Sequence, residues 1–361
     1  MWNKVKYQPN IQAINFCKEF LDANPKKRYI LGRNEYAKSI ANQIEVKAFI
    51  DDFTRDVTYL GKSIIKTEDI PSDGLVVVTV TSARSLTVRK KLSDAGVKQL
   101  DYFAFYEYSG LEIIPVTFWD LFRNDFENNK TKYLWVDELL SDAESKKTYN
   151  QIVNFRLSGK LSYMEGFTYR PEEQYFEDFL GLKEKDEVFV DVGGFDGFTT
   201  LEFIKRCPDY RAVYLFEPEA KNMEVAKAKL AEYAHINFIQ QGLSNKKQTV
   251  RFSVAGIYSA ISEDGEIEIQ VNTLDQSVSD SVTFIKMDIE GAEGLAIEGA
   301  KQTILRNHPR LAICVYHKFD DFWRIPEQIL SIRNDYDIYL RHYTEGVDET
   351  VMFFIPKRQK V

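Results

Sequence analysis

Two groups of residues in this chain have the types and spacing to do chemistry. The first is Asp191, Gly193, Gly194, Asp196 and Gly197, with Glu217 following at the end of the next apolar run. Glycines let a backbone approach a ligand that a side chain would push away. An acid about twenty residues downstream of such a turn can take both hydroxyls of a ribose. The second group is Asp288, Glu290, Glu293 and His317, carboxylates and an imidazole of the kind that move protons. The glycine spacing separates one ligand from another. Gly193 and Gly197 fit D-x-G-x-x-x-G, and Phe195 stands where the pyrophosphate-seating G-x-G-x-x-G has its second glycine. S-adenosylmethionine (AdoMet) has no phosphate to cradle. It carries a ribose, an adenine, an amino-acid tail and a cationic sulfonium, and a turn flanked by Asp191 and Asp196 suits that cargo.

These residues need strands to deliver them. Residues 188–190 form a short apolar run into the glycine turn, and residues 198–204 recur at helical spacing. A second run, 212–216, ends at Glu217, and 220–233 read as an amphipathic helix. A third strand is expected at 236–239, leading to Gly242 and Ser244, and a hairpin at 250–254 and 266–271 flanks a loop over 256–265. Strands at 282–287 and 311–315 end in Asp288 and in Tyr316-His317-Lys318, and residues 336–343 and 349–355 alternate as a closing pair. In an open α/β sheet, ligands sit beyond the carboxyl ends of the strands. Asp191, Glu217, Gly242, Asp288 and His317 are therefore expected on one rim.

The chain before this half has its own βαβ pattern. Apolar runs at 28–31, 46–50 and 75–80 alternate with helical spacing at 36–44 and 85–95, which predicts a smaller Rossmann-like domain over 1–110. Its first turn, Gly32 to Ala37, keeps one glycine where a dinucleotide fingerprint wants three, so NAD is disfavoured. The pattern is degenerate: a sugar-nucleotide site, with the GKSII segment at 61–65 nearby, or simply an interaction domain. Residues 111–182 read as a helical and aromatic connector or lid, with a helix over 139–153 starting near Ser141 and Asp142 and another opened by Pro171. Phe118 and Trp119 begin it, and 124–132 look like an exposed bend.

Composition sets the outer limits. At 361 residues, with 44% hydrophobic and 28% charged side chains, the chain has room for two or three domains and a substantial core. A net charge of -8 argues against a nucleic-acid binder, whose phosphate contacts need a basic face. No apolar run has the length of a membrane span, and the first residues lack a signal-peptide core. Cys17, Cys207 and Cys314 are scattered and odd in number, as expected in a reducing compartment. A cytoplasmic enzyme is expected, and the oligomeric state stays open, a homo-oligomer included.

Five motifs in order carry a family resemblance: VDVGGFDGFTT at 190–200, FEPE at 216–219, NTLD at 272–275, KMDIEGAE at 286–293 and VYHKFDDFWRIP at 315–326. Across roughly residues 139–356 the chain resembles the FkbM family of AdoMet-dependent methyltransferases. The resemblance implies a class I methyltransferase fold over 183–361, with a seven-stranded sheet whose last strand is antiparallel. It also implies O-methylation, often of sugars in surface glycans or of natural products. By position, Asp191, Gly193 and Gly197 would face the methionine tail, Glu217 the ribose, and Ser244 or the Gln241-Gly242 turn the adenine. Asp196 departs from the family pattern.

A sulfonium is an activated donor, so the protein's main task would be to align an acceptor oxygen with the methyl group. A sugar hydroxyl is a poor acid and benefits from a general base. His317 is the first candidate, with an unperturbed pKa near neutrality. Asp288 is the second, with the rival role of a cofactor-binding residue that orients AdoMet or the histidine, and Glu290 and Glu293 stand behind it. No metal is assigned, although Asp275, Asp288, Glu290 and His317 offer a donor set for a magnesium- or manganese-like ion. The rival readings are a non-catalytic sugar-nucleotide-binding or scaffold protein of a glycan pathway, and an NAD-dependent sugar oxidoreductase. The acceptor sugar is open.

Overall fold

Residues 9–116, 119–253, 260–261 and 265–357 are described by a computed structural model. Phe118 and most of the expected 256–265 loop lie outside them. The chain forms two compact units. The first comprises residues up to 124, 150–169 and 343–348; the second comprises 125–149, 170–342 and the residues from 349 on. The segment 111–182, expected as a connector, is thus shared between the two.

In the first unit, six strands order as β3-β4-β2-β1-β5-β6: β1 (Arg28–Leu31), β2 (Ala48–Ile50), β3 (Thr58–Tyr59), β4 (Lys62–Ile65), β5 (Leu75–Val78) and β6 (Lys98–Asp101). All pair in parallel except β3 with β4. The fully buried runs of β1, β2 and β5 are what a sheet covered on both faces demands. Arg33, just beyond β1, pairs with Asp51 and Asp56 at 2.7 and 2.8 Å. The acid at the end of β2 is therefore already engaged by a side chain from the glycine turn. Glu345 caps the helix Ser85–Asp94, accepting from the Thr87 N–H and hydroxyl at 2.6 Å each.

The second unit is built on seven strands. They are β7 (Val188–Val192), β8 (Ala212–Phe216), β9 (Ile236–Ile239), β14 (Phe284–Met287), β15 (Arg310–Cys314), β16 (Tyr336–His342) and β17 (Thr350–Pro356). Between them in the chain, β10 (Gly242–Leu243), β11 (Gln248–Ser253), β12 (Ala260–Ile261) and β13 (Ile267–Asn272) make a separate four-stranded sheet, β10-β13-β11-β12. The expected hairpin is the β11–β13 antiparallel pair. The large sheet orders as β16-β17-β15-β14-β7-β8-β9, with β17 antiparallel to both neighbours, as in a class I methyltransferase. The order reverses between β7 and β14, and such a switch point opens a crevice at the carboxyl ends.

Two helix expectations need correction. Residues 171–175 form turns, not a helix, and Tyr175 takes a left-handed backbone at φ 73°. Its hydroxyl is drawn to Asp288, and that tertiary demand outweighs the helix-opening proline. The expected bend over 124–132 shrinks to a break at Asn129 between the helices Trp119–Asn128 and Lys130–Leu139. The helix start near Ser141 and Asp142 holds, with the Asp142 carboxylate accepting from Ser145 N–H at 2.6 Å.

At the other end of the sheet, buried Glu187 accepts from the Lys183 N–H at 2.9 Å and from Thr283 and Arg310. Burial works against its charge, but Arg310 and Thr283 outweigh burial and hold its pKa below the ordinary carboxylate range. Its stabilisation is complete above the unfolded value of about 4.3 and disappears as pH falls through the lowered folded value. Urea unfolding at stepped pH should therefore show Glu187→Gln losing less stability on acidification than the parent, with the two curves converging below about pH 4.

Candidate functional site

The glycine turn follows β7, and each glycine there answers to a close neighbour. Gly193 has φ 78°, and a Cβ on it would overlap the Asp288 carbonyl oxygen across the switch point. Gly194 packs on Leu215, and Gly193 and Gly194 both donate N–H bonds to the Phe216 carbonyl, at 3.0 and 2.9 Å. Gly197, at φ 80°, sits against Leu230 and Ala226. The turn is thereby fastened to the ends of β8 and β14. Its glycines serve chain-to-chain packing before any ligand.

Glu217 closes the arrangement. It is 6% exposed, and its two oxygens accept from the Phe195 N–H at 3.0 Å and the Glu219 N–H at 2.9 Å. Burial raises its pKa, and those two N–H groups pull against it. The Asn222 side chain also favours its charged form. A carboxylate has about four acceptor positions, so Glu217 is not saturated.

Asp191, expected at the methionine tail, is engaged by the protein itself. Its carboxylate is wholly buried, 3.2 Å from Lys286 Nζ and accepting from Thr200 Oγ1 at 2.8 Å. Lys286 also donates to the Gly193 carbonyl at 2.7 Å. Burial opposes the Lys286 charge, yet Asp191 and Asp288 prevail and lift its pKa above the ordinary lysine value. Asp196, also expected at the cofactor turn, accepts from the Phe198 N–H at 3.1 Å, at the start of a helix, and pairs with Lys229. Gly242 pairs with Val271 in the small sheet, and Ser244 is buried with its N–H on the Asn272 carbonyl. The Ser244 side chain is thus enclosed. Asp275, grouped in the sequence with a possible ion site, instead accepts from the Gln302 and Thr303 N–H groups at 2.9 and 2.8 Å.

Beyond β14 and β15, the second group assembles. His317 Nδ1 lies 2.9 Å from Glu293 Oε1, and Nε2 lies 3.4 Å from Asp288 Oδ1 and 3.6 Å from Glu290 Oε2. Burial opposes a charge on the ring, but Glu293 foremost, then Glu290 and Asp288, raise its pKa well above 6.5. The sequence suggested a histidine near its ordinary value; here three carboxylates press it upward. Burial raises the Glu290 pKa, with His317 opposing. Burial would raise that of Asp288 too, but Lys286, His317 and a Tyr175 hydrogen bond bring it below its ordinary value. Glu290 stands at φ 53°, a left-handed position that turns the loop after β14.

Sequence reasoning missed three partners. Tyr175 donates to Asp288 Oδ2 at 2.7 Å, Tyr316 to Asp288 Oδ1 at 3.2 Å, and Gln174 Nε2 donates to the Tyr175 hydroxyl at 2.7 Å. Lys286 had a signal, since a lysine inside an apolar strand must find a counter-charge. Tyr175 had none, because its partner lies over a hundred residues away. Tyr175→Phe leaves Gln174 with Glu349 as its remaining partner and removes one bond to the Asp288 carboxylate, with an expected loss of about 1–3 kcal/mol in denaturant unfolding.

With this geometry in place, the relatives can be weighed. Residues 191–345 match the family model described as the methyltransferase FkbM domain. Residues 191–345 thus carry a methyltransferase FkbM domain. The solved structures similar to this chain include methyltransferase FkbM from Methylobacillus flagellatus KT, at 25% identity and a TM-score of 0.72, covering 95% of this chain and 93% of that one. An rRNA methylase from Streptococcus thermophilus aligns at 14% identity and a TM-score of 0.35, over 50% of this chain and 93% of that one. Aeropyrum pernix fibrillarin with natively bound S-adenosyl-L-methionine aligns at 11% and 0.33, over 48% and 69%. No curated protein matches the chain. Among the described residues, no helix is long and apolar enough to cross a membrane.

Proposed function

We propose that the protein transfers the methyl group of AdoMet to a sugar hydroxyl, in the cytoplasmic biosynthesis of a glycan, surface polysaccharide or natural product. The observation that carries most weight is Glu217, a buried carboxylate at the rim that is fastened to the Gly193–Gly197 turn by the Phe195 N–H and keeps acceptor capacity to spare. AdoMet, when bound, supplies a methyl group already activated on a sulfonium. Glu217 would take its ribose hydroxyls, the backbone of Gly193 and Gly194 would border its amino-acid tail, and Gly242 with the Ser244 backbone would border its adenine. Asp191 acts from beneath through Lys286, which fixes the Gly193 carbonyl. Asp196 and Gly197 set the start of the helix Phe198–Arg206 and so the end of the turn.

On the acceptor side, Asp288 and Glu290 are the carboxylates placed to receive the hydroxyl proton, and His317 holds them in register. Tyr175 and Tyr316 occupy two lone pairs of Asp288 and fix its plane. Three buried thiols, Cys17, Cys207 and Cys314, support a reducing location. The test is incubation of the protein with AdoMet and a panel of host sugar nucleotides and glycans, followed by mass spectrometry. The gain of one methyl group on a sugar oxygen is the expected result. Methylation confined to a non-sugar acceptor would overturn the substrate assignment.

A further inference from the structure

We propose that Asp288, Glu293 and His317, with Glu290 at their edge, form a divalent-cation centre whose ion holds the acceptor hydroxyl. One donor atom from each of Asp288, Glu293 and His317 lies within 4.8 Å of the other two. The His317 Nε2 separations of 3.4 Å from Asp288 and 3.6 Å from Glu290 are long for hydrogen bonds. Donors that share an ion at about 2.1 Å each stand roughly 3–4 Å apart, which these groups approach.

A second, independent observation points the same way. Glu293 Oε2 makes no hydrogen bond at 1% exposure, and His317 Nε2, on a ring 6% exposed whose Nδ1 faces Glu293, meets Asp288 and Glu290 without hydrogen-bond geometry. Buried polar atoms in native proteins are nearly always satisfied, and an orphaned set around one point calls for a ligand. The charge count agrees. Three carboxylates surround one imidazole, and Lys286, paired with Asp191, offsets Asp288 in part. An ion of charge two with nitrogen and oxygen donors would offset the rest. That donor mixture suits manganese or a neighbouring first-row ion better than calcium, which prefers oxygen alone. Tyr175 and Tyr316 then orient Asp288 as outer partners orient metal-binding carboxylates.

The role given to the ion rests on the sugar-hydroxyl reading above: it would polarise the acceptor oxygen and ease loss of its proton. The test therefore reads the ion and the cofactor separately. Mn2+ is titrated into the full chain and the free-ion electron paramagnetic resonance signal followed, with AdoMet affinity measured by calorimetry on the same samples. One site is expected, weakened roughly tenfold to a hundredfold in Glu293→Gln and in Asp288→Asn. AdoMet binding by both variants shows that they are folded. If AdoMet binds and Mn2+ is not taken up, the cation centre is wrong and the methyl-transfer reading stands. Equal uptake by the parent and both variants places the ion elsewhere and also overturns the proposal. Uptake lost in the variants without AdoMet binding to the parent supports the centre and removes its methyl-transfer role.

Discussion

Replacing Glu217 by alanine is expected to weaken AdoMet binding by a hundredfold or more. Hydrogen bonds to a charged group contribute about 1.5–3 kcal/mol each, so losing a pair to a ribose amounts to roughly 3–4 kcal/mol after partial compensation by water. The same change frees the Phe195 and Glu219 N–H groups and loosens the turn that borders the ligand. Glu217→Gln keeps one carbonyl acceptor and should fall between alanine and the parent. Calorimetry with AdoMet on all three proteins, each checked for an unchanged unfolding midpoint, separates ligand contact from fold. Full affinity in the alanine variant would remove the acid from the cofactor site.

Lys286→Met should be the most destabilising single change in the second unit. Lys286 and Asp191 are both buried, and removing one partner leaves an uncompensated charge in the sheet. Breaking such a pair costs about 3–5 kcal/mol, whereas replacing both partners by apolar groups of similar volume is often neutral or better. The double variant Lys286→Met with Asp191→Leu is therefore expected to recover much of the loss. It should also bind AdoMet more weakly than the parent, because Lys286 is what fixes the Gly193 carbonyl. Urea unfolding of the cycle gives the coupling energy directly. A single variant as stable as the parent would show that the pair contributes little to the fold.

Much of the architecture could be read along the chain because it rests on local patterns. The buried runs of β7, β8, β14 and β15, and the alternation of β16 and β17, lie within a residue or two of where periodicity puts them. The spacing that links the glycine turn to Glu217 is equally local, since one strand, one helix and one strand set it. Pro171 shows the limit. Its position favours a helix, yet residues 171–175 are held in turns by Tyr175 and Gln174, whose partners Asp288 and Glu349 come from distant parts of the chain.

The chemical state of the site divides along the same line. By itself the sequence determined which acids and which imidazole end their strands on one rim, because strand direction and length are local properties. Only the tertiary structure decided what those groups are to one another: Asp191 a buried counter-ion, Asp196 the partner of Lys229, and His317 a ring enclosed by three carboxylates. The reason is that charge and hydrogen-bond state depend on burial and on neighbours a few ångströms away, and folding brings those neighbours from segments that no spacing rule connects.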